Sequence, residues 1–439
     1  MTDKEPGTDV PAGRFSALQS RDFRLLWIGQ GISGIGSLMQ VWAINWQLYA
    51  LTHKPIALGL IGLFRVVPIV ILSLIGGSVA DFADRRKVML ATQSSLAAVA
   101  CALGVLTLTH HLNAFWIYLL TMVGASAMAF DNPSRQALIP SLVKREHLAN
   151  ALSMMSVVFR TSTIIGPVLA GLLIAHGGIG LTYGINAVSF LAVIWALIAM
   201  RPGTSPQPSP WKGEGEEPCM EPAAPTANRV TVEAIKEGLV FVKSTPVLVS
   251  TMVLDFLATF FSSANALLPI FAKDILHVGP EGYGTLAAAE AVGALVAGFF
   301  LSFLPPIKKQ GLTILASVTL YGVATVIFGA SKAFLLSWLA MAIVGASDAV
   351  STVLRQTIRQ LATPDRLRGR MTSVNMIFFM GGPQLGELEA GLVAQWCGAP
   401  LSVIVGGVGC LVTVAVVAMK AKVLRTYEFD PGRPIASET

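Results

Sequence analysis

Charge is scarce in this chain. Of its 439 residues only 13% are Asp, Glu, Lys or Arg, while 54% are hydrophobic, and the mean hydropathy is +0.66. That balance excludes an ordinary soluble fold of two or three domains and points to many membrane spans. Cysteine is scarce too. Cys101, Cys219, Cys397 and Cys410 lie far apart, without the spacing of a metal site or a disulfide framework. Cys101 and Cys410 fall within apolar runs and read as packing residues. There is no Walker loop to support ATP as the drive, and no Ser-His-Asp or metal-ligand cluster such as an embedded enzyme needs. No cofactor, no metal and no enzymatic activity are therefore expected. A cleavable signal peptide is not evident, because the first apolar run begins near Leu25 and is too long for one. Nor is there a folded basic domain. The net charge of +6 comes from bases in loops between apolar runs, so nucleic acid is not an expected partner. The six histidines fall near span ends, where solvated or interfacial roles outweigh metal binding.

Long apolar runs are abundant. They cover 25–51, 56–80, 88–108, 115–130, 148–175 and 181–200, then 247–272, 283–304, 312–330, 334–352, 371–394 and 401–419. Most reach the roughly 17–25 residues that a spanning helix needs. The expected organisation is a cytoplasmic tail (1–24) with a short interfacial helix near Phe15–Phe23, then a six-helix bundle (25–201). A flexible Pro/Gly/Glu-rich linker (202–229) leads to a second bundle (230–422), entered by an amphipathic helix at 230–242, and a cytoplasmic tail (423–439) closes the chain. Lys54, Lys273 and Lys332 fall in loops on one side and Arg65 and Arg160 within spans. The rest of the 31 basic residues fall on the other side, which the charge bias makes cytoplasmic, with both termini inside.

The halves repeat. Val123-Gly124-Ala125-Ser126 followed by Arg135-Gln136 recurs as Val344-Gly345-Ala346-Ser347 followed by Arg355-Gln356. The Arg-Gln pairs are expected at matching loop positions. Gly166 and Gly171 recur as Gly386 and Gly391. The common offset of half the chain marks a duplication, and two parallel repeats place a binding site between them near the midplane.

One connection stands out. Gly77, Asp81, Arg85 and Arg86 lie between the second and third runs, with Gly77 and Asp81 one turn apart on one helix face. This stretch resembles the Gly-x-x-x-Asp-Arg-x-Gly-Arg-Arg loop of the major facilitator superfamily, with Phe82 and Asp84 as departures from its pattern. The resemblance implies an all-α membrane fold of twelve transmembrane helices in two pseudo-symmetric six-helix bundles. It also implies that this loop latches the two halves, with Asp81 at a helix N-terminus of the other half and Arg85 paired with Asp131. Arg135 and Arg355 join this gating set through the repeat. Gly166-Pro167-Val168-Leu169-Ala170-Gly171 is similar to the superfamily's antiporter motif, while Pro167 bends the helix and Gly166 and Gly171 permit close packing. The stretches 279–284, 363–370 and 382–387 resemble the drug and siderophore efflux branch.

Ionisable groups inside apolar runs are costly and mark function. Here they are Arg65, Arg160, Asp255, Glu290, Glu387 and Glu389, with Asp348 near the inner end of its span. Two roles compete for them: exchange of protons or contact with cargo in a central cavity, or buried structural pairs such as Arg160 with Asp255. Glu387 and Glu389, two apart, point to different helix faces. Arg65 and Arg160 suit an anionic cargo. The expectation is a secondary active exporter of a small amphipathic molecule such as a siderophore or a drug. It would be driven by protons, work by alternating access, and act as a monomer in a bacterial inner membrane. An importer or uniporter, a lipid flippase and a transport-dead sensor are the alternatives.

Overall fold

The computed structural model describes residues 15–82, 84–201, 239–364 and 367–428, with only the backbone for 73–82, 368–370, 372–374, 376, 377 and 380. The linker call and most of the amphipathic helix call at 230–242 lie outside the described residues, although 239–244 is helical. At the N-terminus the interfacial helix reduces to one 3-10 turn, Ser16–Gln19, before Ser20 caps the first long helix by accepting from the Phe23 amide.

Eleven long helices follow among the described residues: α1 Arg21–Thr52, α2 Pro55–Phe82, α3 Arg85–Leu108, α4 Ala114–Leu142, α5 Leu148–Ala199, α6 Pro246–Phe261, α7 Gly279–Phe303, α8 Gln310–Ala330, α9 Phe334–Leu361, α10 Arg368–Cys397 and α11 Ala399–Lys420. The 52 residues of α5 would extend about 78 Å, more than twice a hydrocarbon core. Gly178, at φ +80°, breaks it into two crossing limbs. Among the described residues nine helical segments, α5 among them, are long and apolar enough to cross a membrane unaided. The more polar α1 and α10 complete twelve crossings. Several polar groups of α1 find partners inside the protein: Gln47 bonds Thr107 and Tyr183, and Gln40 accepts from Asn186.

Within the first half α1 packs on α5, and α4 on α2 and α3; in the second, α7 packs on α9, and α8 on α9 and α11. The halves meet along two seams, α2 with α10 and α5 with α7. The repeated glycines build both. A Cβ on Gly171 would lie 3.0 Å from the Gly284 Cα, and one on Gly391 would lie 2.9 Å from the Gly59 Cα. Gly166 and Gly386 instead press on α1 and α6 within their own halves, against Leu38 and Phe260. Equivalent glycines thus make equivalent contacts, which is the pseudo-symmetry the repeat predicts.

The two ends of the molecule differ. At the end away from the chain termini, one continuous core includes Met39, Tyr49, Leu58 and Ile174 of the first half and Phe271, Tyr283 and Ala390 of the second. At the terminal end each half keeps its own core. Phe23, Met89, Leu138 and Leu197 belong to one, and Leu248, Ile314, Ile358 and Met371 to the other. Large exposed side chains such as Trp195, Phe299, Phe300 and Leu335 coat the outside of the helices, as lipid contact requires.

Candidate functional site

The far-end seal is polar as well as apolar. Tyr283 donates from its hydroxyl to the Trp42 carbonyl (3.1 Å), and its ring packs on Trp42 and Trp46. Tyr49 donates to Asp274, Lys273 lies 5.8 Å above the Tyr49 ring and 3.5 Å from His53, and His176 is 3.5 Å from Glu281. Each of these contacts joins one half to the other.

Deeper in the second half, α6 to α10 surround a cavity of about 170 Å³ lined by Asp255, Glu290, Asp348 and Glu387, with Thr259, Ser262, Ser263, Asn265, Tyr321, Phe379 and Pro383. Four of the seven charged residues singled out within the spans therefore share one chamber. Asp255 is held there by Arg355, whose Nη2 is 2.8 Å from its Oδ1, with Arg359 at 3.9 Å. The same Nη2 reaches Asp348 at 3.6 Å and donates to Thr352, while Nη1 donates to Ser351. Arg355 is 2% exposed, so its charge is neutralised almost wholly by these two acids. Asp348, by contrast, keeps 41% of its side chain accessible although it sits mid-helix, and so looks into open space. Across the chamber the Asn265 amide donates to Glu290 (2.7 Å), leaving its own carbonyl oxygen buried without a partner. An orphaned carbonyl oxygen on a cavity of this size fits a site that receives a polar ligand or water.

Several expectations change. Asp348 is mid-helix because α9 runs nine residues past the apolar run, to Leu361. For the same reason Arg135 and Arg355 are not loop residues: α4 and α9 carry them, and their guanidiniums find partners within the halves. Asp255 does not pair with Arg160, which is exposed and belongs to the other half; the acid is satisfied by Arg355 beside it. No Arg85–Asp131 ion pair stands among the contacts of the described residues. Asp131, 1% exposed, accepts from Thr92 and Gln93 (both 2.9 Å), and Arg85 donates to the Ala137 carbonyl. The Asp81 side chain and the surroundings of Gly77 lie outside the described residues. Arg86 donates to the Ile198 carbonyl, and Asp84, one of the departures from the loop pattern, caps α3 by accepting from the Arg86 amide.

Arg135 occupies the place in the first half that Arg355 has in the second, and it too reaches the first helix of its half. There it donates to Gln30 (2.9 Å), with Asn132 as a second neutral acceptor. The acid in one half is an amide in the other. Neither Arg65 nor Glu389 lines the chamber. Reasoning from the sequence missed Asn265, Tyr321 and the far-end contacts of Tyr49, Asp274 and Tyr283, since none carries a charge inside an apolar run. The bulk of the aromatic residues among them was the available signal.

Known proteins place this architecture. Solved structures of the same fold include a bacterial homolog of the human lysosomal transporter Spinster, inward-facing and unoccupied. Its TM-score is 0.72, at 13% identity over 97% of this chain and all of that one. A bacterial homologue of the iron transporter ferroportin, also inward-facing, superposes with a TM-score of 0.62 at 16% identity, covering 91% of this chain and 98% of that one. In sequence, the enterobactin exporter EntS of Citrobacter koseri is 26% identical over 419 residues, 94% of each chain. EntS of Escherichia coli O81 is 25% identical over 424 residues, 95% of this chain and 96% of that one. The family described as transmembrane secretion effector matches residues 12–433. The chain belongs to that family, within the major facilitator superfamily of membrane transporters.

Proposed function

We propose that this transporter is a proton-driven exporter of a small amphipathic molecule, with a catecholate-like siderophore as the first cargo to test. The observation that carries the reading is a cross-half seal at the far end, with separate cores for the two halves among the described residues at the terminal end, together with an acid chamber buried in one half. A cleft closed by cross-half contacts at the far end, with separate cores at the terminal end, is half of an alternating-access cycle. The basic-residue bias makes the terminal end cytoplasmic, so this state opens toward the cytoplasm of a bacterial inner membrane and collects cargo from inside. Asp255, Asp348, Glu290 and Glu387 provide carboxylates that can carry a proton between the two faces. Exchange of a proton entering for cargo leaving needs no further drive. The modest identity to the enterobactin exporters supports export and a siderophore-like cargo.

Inside-out membrane vesicles provide the test. With an acid interior they should accumulate a fluorescent catechol-bearing siderophore analogue, and an uncoupler should abolish the uptake. Accumulation only in right-side-out vesicles would make the protein an importer and defeat the proposal.

A further inference from the structure

A second polar cavity lies in the first half, away from the acid chamber. It has a volume of about 470 Å³ and sits at the terminal end, between the 3-10 turn Ser16–Gln19 and the connection from α4 to α5. Ser16, Gln19 and Ser20 line it from one side, and Ser141, Lys144 and His147 from the other. Two contacts hold the sides together: Ser20 Oγ donates to the Leu142 carbonyl (2.5 Å), and the Ala17 amide donates to Asn150 (3.1 Å). Two polar atoms of the lining residues have no partner among the described residues. They are Ser16 Oγ, on a residue only 3% exposed, and His147 Nδ1. A buried hydroxyl left in this way is costly unless something in the pocket accepts from it. The charge beside it is positive. Lys144 Nζ (3.9 Å) and His147 Nε2 (3.6 Å) share one oxygen of the exposed Glu146, and Arg145 adds another exposed base. Lys144 and Arg145 against Glu146 leave a net positive charge whatever the state of His147. The cavity also stands at headgroup level, because Ser20 caps α1 and Leu142 ends α4. Phe15, next to Ser16 and 67% exposed, supplies an aromatic side chain at the same interface.

We infer that this cavity is a binding site for the phosphate headgroup of an anionic phospholipid of the cytoplasmic leaflet. Phosphate oxygens only accept, and the groups left over here donate: Ser16 Oγ, Lys144 Nζ and, in its imidazolium form, His147 Nδ1. A free phosphate carries the same oxygens. The volume, in the range of small-ligand sites, and the position at the membrane surface select a headgroup with its glycerol attached. Once bound, the lipid ties the N-terminal turn to the α4–α5 connection across the gap between them. The site acts within one half, so it depends neither on proton drive nor on the identity of the cargo.

The test is native mass spectrometry of the full chain in detergent, with phosphatidylglycerol and phosphatidylcholine offered at equal concentration. The parent should retain phosphatidylglycerol in preference, and that lipid alone should raise its unfolding temperature. Ser16→Ala combined with Lys144→Gln should lower the phosphatidylglycerol-bound fraction by at least about threefold. The double variant should fold as the parent does: the Lys144 side chain is 81% exposed, and Ser16→Ala removes a hydroxyl that no described residue satisfies. Its unfolding temperature without lipid is the check. Lys420→Gln removes a base from the terminal end of α11, outside the cavity, and should leave retention unchanged. Equal losses in Lys420→Gln and the double variant would reduce the effect to diffuse charge attraction and overturn the inference. So would a parent that does not distinguish the two lipids. Stabilisation by inorganic phosphate or glycerol phosphate equal to that by phosphatidylglycerol would overturn the assignment to lipid.

Discussion

Arg355 is a cation sealed in a membrane protein at 2% exposure, and it is stable there because Asp255 and Asp348 share its Nη2 atom. Removing one partner of such a buried group costs more than the pair itself contributes. Asp255→Asn should therefore lower stability by roughly 3 kcal/mol, read from thermal unfolding in detergent. Asp255→Asn combined with Arg355→Gln should recover more than half of that loss, since no uncompensated charge is left. At Arg135 the corresponding partner is Gln30, an amide, so Gln30→Ala should cost only about 1 kcal/mol in the same assay. The two measurements together separate a charge-neutralising site from its neutral counterpart in the other half. The existence of these charges was legible in the sequence, because an arginine or aspartate in or beside an apolar run stands out. Their pairing was not: Arg355 lies beyond its apolar run (334–352) and reads as a loop residue, whereas Arg160 lies within one, and only the continuation of α9 to Leu361 brings Arg355 beside Asp255.

Among the helices, glycine decides how the halves meet. A Cβ on Gly171 would fall 2.4 Å from the Pro280 carbonyl oxygen, closer than real contacts allow, and the facing surface is backbone that has no rotamer to change. Gly171→Val should push α5 from α7 and open the far end. A cysteine placed at Tyr283 should then react with an aqueous maleimide on the order of tenfold faster. Gly345→Val makes the contrast. Its Cβ would meet the Glu290 carbonyl oxygen at 1.8 Å, inside one half, where α7 and α9 pack against each other. That variant should lose roughly 3 kcal/mol or more of stability without a matching gain in labelling, because overpacking is relieved only by distortion. The repeat of Gly166 and Gly171 as Gly386 and Gly391 was visible in the sequence as spacing. Which member of each pair crosses between halves was not visible, since a spacing of five puts the two glycines on different faces of the helix, about 140° apart, and only the tertiary arrangement says which face meets the other half.

For the whole molecule, twelve crossings and two matched halves follow from run length and from the repeat, because in lipid every backbone polar group must be satisfied within a helix. The state in which the halves rest does not follow from pattern. It depends on contacts of uncharged aromatics, Tyr49 with Asp274 and Tyr283 with Trp42, brought together from more than 200 residues apart. Those contacts define the seal, and the account requires that they break in every cycle. Cysteines at His53 and Lys273, which touch across the seal, allow the halves to be joined there by a cleavable bifunctional maleimide in a background without the native cysteines. With the bridge in place, proton-driven accumulation of the siderophore analogue by inside-out vesicles should stop, and cleaving the linker should restore it. Undiminished transport with the far end locked shut would contradict the alternating opening of the two ends on which the account is built.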